Sequence, residues 1–286
     1  MTRAVVTGAR GFVGSNLVRH LEQQGCDVRT LAREELYDRD RLTAALREAR
    51  PDHVFHLAGS PLVAGVGGTE VEAIEANVMG AYGLLDACVE MGIRSVVMTG
   101  DAFEYGPSDA ALREDQVCRP TSVHGLTKLA ATTRGQEVSK TTACGVTTVR
   151  LFSVYGPGDR PQRLVPRLLA AARAGDTVEL SDPNIVRDWV HIDDVVELYW
   201  LVASGADTCA GLVLNAGSGI ATSLGAVVET VERAAGTHID VRWGAYPTAA
   251  HDLGYWIADP STTEAAIGWQ ARIAFDEAIA AMWSAA

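Results

Sequence analysis

The sequence has little of what would mark a secreted, membrane-spanning or nucleic-acid-binding protein. Its five cysteines are an odd number and include no Cys-x-x-Cys pair, which argues against a disulfide framework and against a thiolate metal site. Acidic residues outnumber basic ones by 36 to 24, and the net charge of -12 argues against a nucleic-acid partner. No run approaches the roughly 18 uninterrupted apolar residues of a membrane span, and the amino terminus leads into a strand, not a signal peptide. We therefore expect a soluble, cytoplasmic protein with no membrane partner and a small-molecule substrate.

The histidines do not indicate a metal site either. His53 and His56 lie in a segment whose alternation and following small residues are typical of a strand end. We therefore expect no bound metal ion.

The bulk composition is that of a folded globular protein. The chain has 286 residues, about twice a typical domain of roughly 150 residues. Its 48% hydrophobic and 21% charged residues exclude a disordered or fibrous chain. We find no internal repeat and no low-complexity tract. These properties predict one large α/β unit with a smaller lobe.

Strand-like and helix-like segments alternate through the first half of the chain. Short runs rich in β-branched residues predict strands, and apolar residues at spacings of three and four predict helices. The predicted strands are 3–7, 28–31, 54–57, 95–99 and 146–151, and the predicted helices are 13–21, 42–49, 71–91 and 126–138. This alternation indicates right-handed crossovers and a Rossmann-type, doubly wound parallel α/β sheet.

Ligands of such a sheet bind beyond the carboxyl ends of its strands. We therefore expect functional residues directly after Thr7, Leu57, Thr99 and Leu151. The second half is less regular and rich in turns, which is typical of a smaller lobe interleaved with the core. We expect the core to comprise 1–156 and 186–216, and the substrate-binding lobe to comprise 157–185 and 217–286.

Three glycines at intervals of three follow the first predicted strand, in Thr7-Gly8-Ala9-Arg10-Gly11-Phe12-Val13-Gly14. Such glycines let the backbone approach a pyrophosphate, while the amino terminus of the following helix offers unpaired N–H groups. The loop predicts a dinucleotide cofactor bound by Gly8, Arg10, Gly11, Phe12, Val13 and Gly14. The alternative is an ordinary tight turn.

The residue after the second strand distinguishes between two dinucleotides. NAD binders place an acid there, about 20 residues beyond the glycine loop, to bind the ribose hydroxyls. This chain has Ala32 and Arg33 instead. An arginine attracts a 2′-phosphate through charge-assisted hydrogen bonds, so Arg33, together with Arg10, favours NADP(H). The alternative is that both arginines are solvated surface groups.

Several further motifs accompany the glycine loop. They are His56-Leu57-Ala58-Gly59, Asn77 in the long predicted helix, Tyr105-Gly106, the run Arg-Leu-Phe-Ser-Val-Tyr-Gly-Pro at 150–157 and the run Arg-Asp-Trp-Val-His-Ile-Asp-Asp at 187–194. In this order, and over nearly the whole chain, they resemble the extended short-chain dehydrogenase/reductase family of NDP-sugar epimerases and dehydratases. The resemblance implies further cofactor contacts from Leu57, Ala58, Gly59, Asn77, Thr99, Lys128, Phe152 and Val154.

The catalytic residues depart from the pattern of that family. Similar enzymes use a Ser or Thr, a Tyr, and a Lys four residues after the Tyr. Here the first position falls on Asp101 within Thr99-Gly100-Asp101, the Tyr position is His124, and Lys128 is retained. Lys128 can hold the nicotinamide ribose and place a positive charge near the hydride site. The candidate catalytic residues are therefore Thr99, Asp101, His124 and Lys128.

The substitution of the tyrosine can be read in two ways. His124, oriented by Asp101, can replace the phenol as the general acid or base. Alternatively, both side chains merely line a pocket whose catalytic contacts have been lost.

Loss of the phenol affects oxidation more than reduction. Oxidising a secondary hydroxyl needs a positioned base, whereas a ketone that receives a well-placed hydride can take its proton from water, His124 or the substrate itself. In this respect the chain resembles the atypical ketoreductases of antibiotic biosynthesis that lack the usual triad. That resemblance implies NADPH-dependent reduction of an aromatic polyketide ketone, of the angucyclinone type, to a secondary alcohol.

Two other functions stay open. In enzymes similar to this one, the arginine of Arg187-Asp188-Trp189 often contacts a nucleotide phosphate, which favours an NDP-sugar epimerase, dehydratase or reductase. Equally, Arg187, Asp188, Asp193 and Asp194 can form a salt-linked support at a helix start. A damaged triad is also compatible with a catalytically inactive NADP(H) sensor, although the retained Lys128 argues against it.

The substrate side of the site is the least determined. Its candidate walls are Ser60, the apolar segment 61–68, Phe103, Ser153, Tyr155, Arg187, Trp189 and Tyr255. Nearby rings at Trp243, Tyr246 and Trp256 can stack on a flat substrate or serve only in packing. Extended relatives often form homodimers through two long helices, here 71–91 and 126–138, whose alanines permit close packing. The oligomeric state therefore stays open between monomer and homodimer.

Overall fold

A six-stranded parallel sheet lies at the centre of the computed structural model, which describes residues 1–60, 68–246 and 255–285. Numbered in chain order, its strands are β1 (Arg3–Thr7), β2 (Asp27–Leu31), β3 (His53–His56), β4 (Ser95–Asp101), β5 (Gly145–Leu151) and β9 (Val213–Ala216). Their spatial order is β2-β1-β3-β4-β5-β9, and every neighbouring pair is parallel. The predicted Rossmann-type sheet is confirmed. Its order reverses between β1 and β3, which is where such sheets open a crevice for a ligand.

Helices cover both faces of this sheet. The helices of the described residues, three of which (α7, α10 and α12) pack elsewhere, are α1 (Phe12–Gln23), α2 (Arg33–Leu36), α3 (Arg39–Ala49), α4 (Glu70–Ile74), α5 (Gly80–Glu90), α6 (Val123–Thr141), α7 (Leu164–Ala174), α8 (Ile192–Ser204), α9 (Ala206–Cys209), α10 (Leu224–Ala235), α11 (Ser261–Ile267) and α12 (Phe275–Ser284). Helices α1 and α8 bury Val6 on one face, and α3, α5 and α6 bury Val5 on the other. Val5 and Val6 of β1 thus place apolar side chains on opposite faces of the sheet, as expected for a parallel sheet that helices cover on both faces. Within the three described ranges, no helix has both the length and the apolar character needed to cross a membrane.

The long helix predicted over 71–91 is continuous but not uniform. Between α4 and α5, residues Glu75–Met79 form a π-helical turn, in which each hydrogen bond spans five residues instead of four. Asn77 lies inside this turn and is buried. Apolar periodicity reports which face of a helix is covered, and it did not reveal this local change of pitch.

The second half of the chain adds two small sheets and a separate apolar core. Strands β6 (Ser153–Tyr155), β8 (Val186–His191) and β10 (Ala221–Ser223) form one sheet, and β7 (Val178–Leu180) pairs with β11 (Val241–Trp243). Helices α7, α10 and α12 pack around Leu168, Val227 and Ile279. The division into a core (1–156, 186–216) and a lobe (157–185, 217–286) stays a prediction.

Candidate active site

A cleft of about 2350 Å³ opens beyond the carboxyl ends of β1, β3, β4 and β5. It brings together Gly8, Arg10, Gly11, Phe12, Val13, Gly14, Arg33, Leu57, Ala58, Gly59, Ser60, Thr99, Asp101, Phe103, His124, Lys128, Phe152, Ser153, Val154, Arg187 and Trp189. Three predicted site residues, Asn77, Tyr155 and Tyr255, do not line it. Of the predicted apolar segment 61–68, residues 61–67 lie outside the described residues, and Gly68 lines the cleft. Most of the predicted site residues therefore line one cleft.

The glycine loop brings the backbones of two strand ends into contact. Gly8 has φ +70°, and a Cβ at this position would lie 2.5 Å from the carbonyl carbon of Leu57. A Cβ at Gly14 would lie 2.2 Å from the Gly8 carbonyl oxygen. Helix α1 starts here with neither a side-chain cap nor an acid in its first turn. Its N–H groups are thus available to an anion, and the loop fits the pyrophosphate of a dinucleotide.

The loop after β2 carries charges of both signs. Arg10 and Arg33 are exposed on the cleft wall. Glu35 also lines the cleft, but it accepts the Ala32 N–H at 2.8 Å and lies 3.4 Å from the Arg29 guanidinium. Sequence analysis did not single out this glutamate, since nothing in the local pattern indicates its pairing with Arg29. The Glu35 carboxylate is thus paired with Arg29 and not with Arg33.

Lys128 projects from α6 toward the end of β4. Its Nζ donates to the Thr99 carbonyl oxygen at 2.9 Å, which leaves two ammonium hydrogens for a ligand. Burial lowers the pKa of Lys128, although the negative charges of Asp101 and Glu104 act in the opposite direction. The Thr99 hydroxyl lies 2.6 Å from the hydroxyl of Tyr199. Thr99 thus offers its carbonyl to Lys128 and pairs its hydroxyl with Tyr199, and its catalytic role stays a prediction.

His124 lies one helical turn before Lys128 and is paired with Asp101. Its Nε2 is 3.3 Å from Oδ2 of Asp101, whose Oδ1 accepts the Phe103 N–H at 2.9 Å. The Asp101 side chain is 27% exposed and that of His124 only 7%. Both residues line the cleft, and the carboxyl group is the more exposed of the two. The predicted pairing of Asp101 with His124 is present, and the role of His124 as the general acid or base stays a prediction.

The charge state of the pair follows from its surroundings. Burial raises the pKa of Asp101, but the hydrogen bond and charge of His124, the Phe103 N–H and the Lys128 charge outweigh this and hold it below its usual value. The other imidazole nitrogen, Nδ1 of His124, is buried without a partner in the described part of the chain. We therefore assign a carboxylate to Asp101, which accepts a hydrogen bond from Nε2 of His124.

A buried ion pair, missed by sequence analysis, lies behind Asp101. Glu104 accepts the Asp101 N–H at 2.9 Å through Oε1 and binds Arg150 Nε at 2.8 Å through Oε2. Both side chains are almost completely buried, and the Arg150 guanidinium lies 4.2 Å from the ring centroid of Tyr105. The pair fixes the end of β4 from which Asp101 projects. Arg150 stood in a recognised motif, but no sequence pattern connects it with Glu104.

The tyrosines that flank the motifs do not replace the missing phenol. The Tyr105 hydroxyl donates to Asn215 Oδ1 at 2.7 Å, and that of Tyr199 is paired with Thr99. Tyr155 is 1% exposed, within the apolar core of the lobe. The prediction that Tyr155 lines the substrate pocket is therefore wrong: its ring packs against Trp189 and Phe275.

Asn77 supports the loop after β3 from behind. Its Oδ1 accepts the Ser60 N–H at 2.8 Å, and its two amide hydrogens go to the Ser60 carbonyl at 3.1 Å and to Thr127 Oγ1 at 3.0 Å. A Cβ at Gly59 would lie 2.8 Å from the same Oδ1. Asn77 thus shapes the cleft wall through Ser60 and Gly59, and it does not contact the cleft as predicted.

His56 supports the same loop from β3. Its Nδ1 lies 2.8 Å from the Thr7 hydroxyl, which also accepts the Ala58 N–H at 3.1 Å. Burial, followed by the charge of Lys128, lowers the pKa of His56 to about 3. The imidazole is therefore neutral in the folded protein at neutral pH.

The lobe side of the cleft combines aromatic rings with arginines. Phe103 and Trp256 meet edge to face with their centroids 4.7 Å apart, and both line the cleft. The neighbouring Tyr255 does not, and its N–H bonds the Ser108 carbonyl at 2.8 Å, so the prediction was off by one residue. Three arginines that sequence analysis did not single out join Arg187 in the wall: Arg160, Arg163 and Arg167.

The acids that follow Arg187 are structural supports. Asp188 is buried and accepts the Ser218 N–H and hydroxyl, both at 2.6 Å, the Gly219 N–H at 2.9 Å and the Ala258 N–H at 3.0 Å. Asp194 accepts the N–H groups of Arg272 and Ile273. Asp188 and Asp194 therefore join distant segments by accepting hydrogen bonds from N–H groups and, at Asp188, from the Ser218 hydroxyl.

Comparison with protein families matched residues 4–217 to the NAD dependent epimerase/dehydratase family. The UDP-glucose 4-epimerase of Neisseria meningitidis serogroup B is 27% identical, over 95% of this chain and 93% of that protein. The dTDP-6-deoxy-L-talose 4-dehydrogenase (NAD(P)(+)) of Kitasatospora kifunensis is 29% identical, over 99% of this chain and 95% of that protein.

Solved structures give the same picture. MoeE5 in complex with UDP-glucose and NAD is 31% identical, with a TM-score of 0.89 over 99% of this chain and 98% of that one. The UDP-glucose 4-epimerase of Thermus thermophilus in complex with NAD is 27% identical, with a TM-score of 0.88 over the same shares. The similarity thus extends over the sheet, the cleft and the lobe.

Proposed function

Since this chain belongs to the NAD dependent epimerase/dehydratase family, we propose that it is an NADPH-dependent ketone reductase that works without a catalytic tyrosine. Membership of the family makes it an NAD(P)-dependent oxidoreductase. The direction of reaction, the choice of NADPH and the substrate are the proposal. When bound, the nicotinamide supplies the hydride.

One observation carries the proposed direction of reaction. His124 stands at the tyrosine position and donates to Asp101, so the site presents a carboxylate where similar enzymes have a hydroxyl. A carboxylate with a lowered pKa is a weak base and is not a proton donor. Abstraction of a proton from an alcohol is therefore poorly supported. Reduction needs chiefly a positioned carbonyl and a source of one proton.

The chain's own residues divide the remaining work. Lys128 holds a ribose and places a positive charge that stabilises the alkoxide forming on the substrate. Asp101 accepts a hydrogen bond from a substrate hydroxyl and so orients the substrate. The proton for the alkoxide then comes from water or from a hydroxyl of the substrate itself. A phenol adjacent to the ketone can meet either need. Its hydroxyl can donate a hydrogen bond to the Asp101 carboxylate, or it can donate to the ketone oxygen and supply the proton.

The preference for NADPH is supported by the charges around the loop after β2. Arg10 and Arg33 line the cleft, and Glu35 is balanced by Arg29. A 2′-phosphate placed there meets the guanidinium groups of Arg10 and Arg33, and the exposed Glu34 lies on the same wall.

An aromatic polyketide ketone of the angucyclinone type is the first candidate substrate. Its support is the resemblance of the altered triad to the atypical ketoreductases of antibiotic biosynthesis, together with the rings of Phe103, Phe152, Trp189 and Trp256 on the cleft wall. Such rings can stack on a flat, fused substrate. The proton of a neighbouring phenol would then replace the missing tyrosine.

A nucleotide sugar is the second candidate, and the comparisons favour it over the first. The relatives named above act on, or are bound to, UDP- or dTDP-linked sugars. Arg160, Arg163, Arg167 and Arg187 line the cleft and can bind a diphosphate. A 4-keto sugar nucleotide reduced at the same site would require no change in the proposed roles of Lys128 and Asp101.

Purified protein tests these alternatives directly. Oxidation of NADPH would be followed with an angucyclinone ketone and, separately, with a UDP- or dTDP-linked 4-keto sugar. We expect turnover of the aromatic ketone with NADPH preferred over NADH. Turnover of only the sugar nucleotide would move the assignment to the second candidate. Binding of both redox forms without turnover of any ketone would indicate a sensor and overturn the proposal.

Binding of UDP provides a second readout that does not depend on turnover. Affinity for UDP that is lost in Arg187→Ala but kept in Arg19→Ala, an exposed arginine on α1 outside the cleft, would support the nucleotide-sugar assignment. Absence of UDP binding in the wild type would count against it.

We also propose a homodimer formed through α4, α5 and α6. Four apolar side chains are exposed on this surface: Val71 and Ile74 on α4, Met79 at the end of the π-helical turn, and Leu126 on α6. The Arg134 guanidinium of α6 lies 5.5 Å from the ring centroid of Tyr82 on α5, so the outer faces of the two helices adjoin. An apolar face of this kind is typical of a protein–protein contact.

A further inference from the structure

We propose that Tyr37 is a positioning residue for the 2′-phosphate of NADPH: it holds Arg33 in place, and Gly80 makes room for its ring. This inference rests on the proposed preference for NADPH. It adds two residues, on α5 and after α2, to a specificity that sequence analysis attributed to Arg33 and Arg10 alone.

The contact between Arg33 and Tyr37 is the first part of the argument. The Arg33 guanidinium carbon lies 5.5 Å from the ring centroid of Tyr37, within the range of a cation–π contact. Both residues line the cleft. A guanidinium that rests one face on a ring keeps its N–H groups at the edge, where they can bind phosphate oxygens in pairs.

The need for such a support follows from the exposure of Arg33. This side chain is exposed and forms no ion pair among the residues that the structure describes. An unsupported arginine loses rotamer freedom when it binds a ligand, and that loss lowers affinity. A ring that already restrains the guanidinium removes part of this cost.

Gly80 determines where the ring of Tyr37 lies. A Cβ at position 80 would come within 2.9 Å of Tyr37 Cε1 and 3.4 Å of its hydroxyl oxygen. The ring therefore packs directly on the first turn of α5, where any side chain would displace it. Gly83, one turn further along the same helix, has no atom within 4 Å of its Cβ position. Packing against Tyr37 therefore requires a glycine at position 80, whereas no packing contact requires one at position 83.

The test compares two small ligands that differ by the phosphate in question. Adenosine 2′,5′-bisphosphate and 5′-AMP would be titrated by calorimetry into the full chain and its variants. We expect the wild type to bind the bisphosphate more tightly. Tyr37→Leu and Gly80→Ala should each lower this preference about two- to fivefold, with the affinity for AMP unchanged. Tyr37→Phe should keep the preference, since the ring remains.

Matched variants separate positioning from a general loss of structure. Gly83→Ala should leave both affinities at wild-type values, whereas Gly80→Ala should lower only that for the bisphosphate, although alanine favours a helix at either position. In an Arg33→Ala background, Tyr37→Leu should have no further effect, because Tyr37 acts through Arg33.

The possible failures are distinguishable. A wild type that binds AMP and the bisphosphate equally would remove the NADPH preference, and this inference with it. A wild-type preference that persists in both Tyr37→Leu and Gly80→Ala would overturn the inference alone. Equal weakening of both ligands in Tyr37→Leu would also overturn it, since the ring would then contact the adenosine directly.

Discussion

Asp101 is the more exposed of the two altered triad residues that line the cleft. The His124 imidazole lies nearly perpendicular to the Phe103 ring, and its Nε2 is hydrogen-bonded to the carboxylate. Within the proposed mechanism, His124 therefore acts on the reaction only through Asp101. Lys128 is a cation at the end of β4 that lines the cleft and has hydrogens left for a ligand.

Substitution of the two residues should therefore have unequal effects. Lys128→Met should lower kcat/KM for the accepted ketone by about 100-fold or more, in line with loss of a charge that stabilises an oxyanion. His124→Phe should lower it less than about tenfold, because the proton comes from elsewhere. Steady-state kinetics measure both, and Lys140→Met, which removes the other lysine of the sequence at the exposed end of α6, is the control. An equal loss in the two variants would identify His124 as the proton donor.

The residues that the sequence predicted well are those that belong to short local motifs. Gly8, Lys128 and Asp101 were identified because the spacing within one strand–loop–helix unit is fixed by the backbone. Glu104 and Arg150 were not paired, because burial of an ion pair depends on two elements that meet only in the folded sheet. The mistaken placement of Tyr155 has the same origin, since alternation along β6 does not state which of two apolar cores a side chain enters.

At the level of elements, the π-helical turn between α4 and α5 determines the shape of one cleft wall. It turns the Asn77 side chain inward, where it holds both the N–H and the carbonyl of Ser60. Such turns are frequent at functional sites. The sequence predicted a helix over this range, but the hydrogen-bond pattern inside it depends on the contact with the loop after β3, which is distant in the chain.

Asn77→Asp should destabilise this element strongly. The new carboxylate would face the Ser60 carbonyl and lack the two amide hydrogens that Asn77 donates, at a cost of about 2 to 4 kcal/mol. Urea denaturation would measure the loss in the free energy of unfolding. Gln24→Glu, an exposed amide-to-acid change at the end of α1, should change it by less than about 0.5 kcal/mol. Wild-type stability of Asn77→Asp would show that its hydrogen bonds contribute little.

At the scale of the whole molecule, the topology of the first half was predictable and that of the second was not. The central sheet follows from alternating strands and helices with a fixed crossover hand. Strands β6, β7, β10 and β11 have only three residues each, too few for periodicity to be read. Their positions are determined by contacts with distant segments, such as those of Asp188.

The proposed homodimer predicts a particular response to substitution. The wild type should sediment as a species of twice the chain mass, and Met79→Glu combined with Leu126→Glu should give monomers, because charges would be buried in the contact. Analytical ultracentrifugation distinguishes the two. Val117→Glu changes a still more exposed apolar residue in the loop before α6 and should leave the dimer intact. A monomeric wild type would refute the proposal.

The buried His56 predicts how stability depends on acidity. Its pKa is about 3 in the folded protein and 6.5 when unfolded. Between these values the unfolded chain binds a proton that the folded chain does not, so stability should fall as the pH decreases from 6.5 toward 3, by about 1.4 kcal/mol per pH unit from this residue. Urea denaturation across this range should give a shallower dependence for His56→Asn. The exposed His238→Asn should retain the wild-type slope, and equal slopes in all three proteins would contradict the assignment.

The bonds of Asp188 join strand β8 to residues 218, 219 and 258, while β9, which lies between them in the chain, belongs to the central sheet. A gene fragment that begins or ends between β8 and residue 258 therefore severs these links when it is recombined into a relative. Point substitutions inside the cleft leave them intact. Directed evolution of the enzyme would accordingly begin from saturation libraries at wall positions, not from shuffled chimaeras.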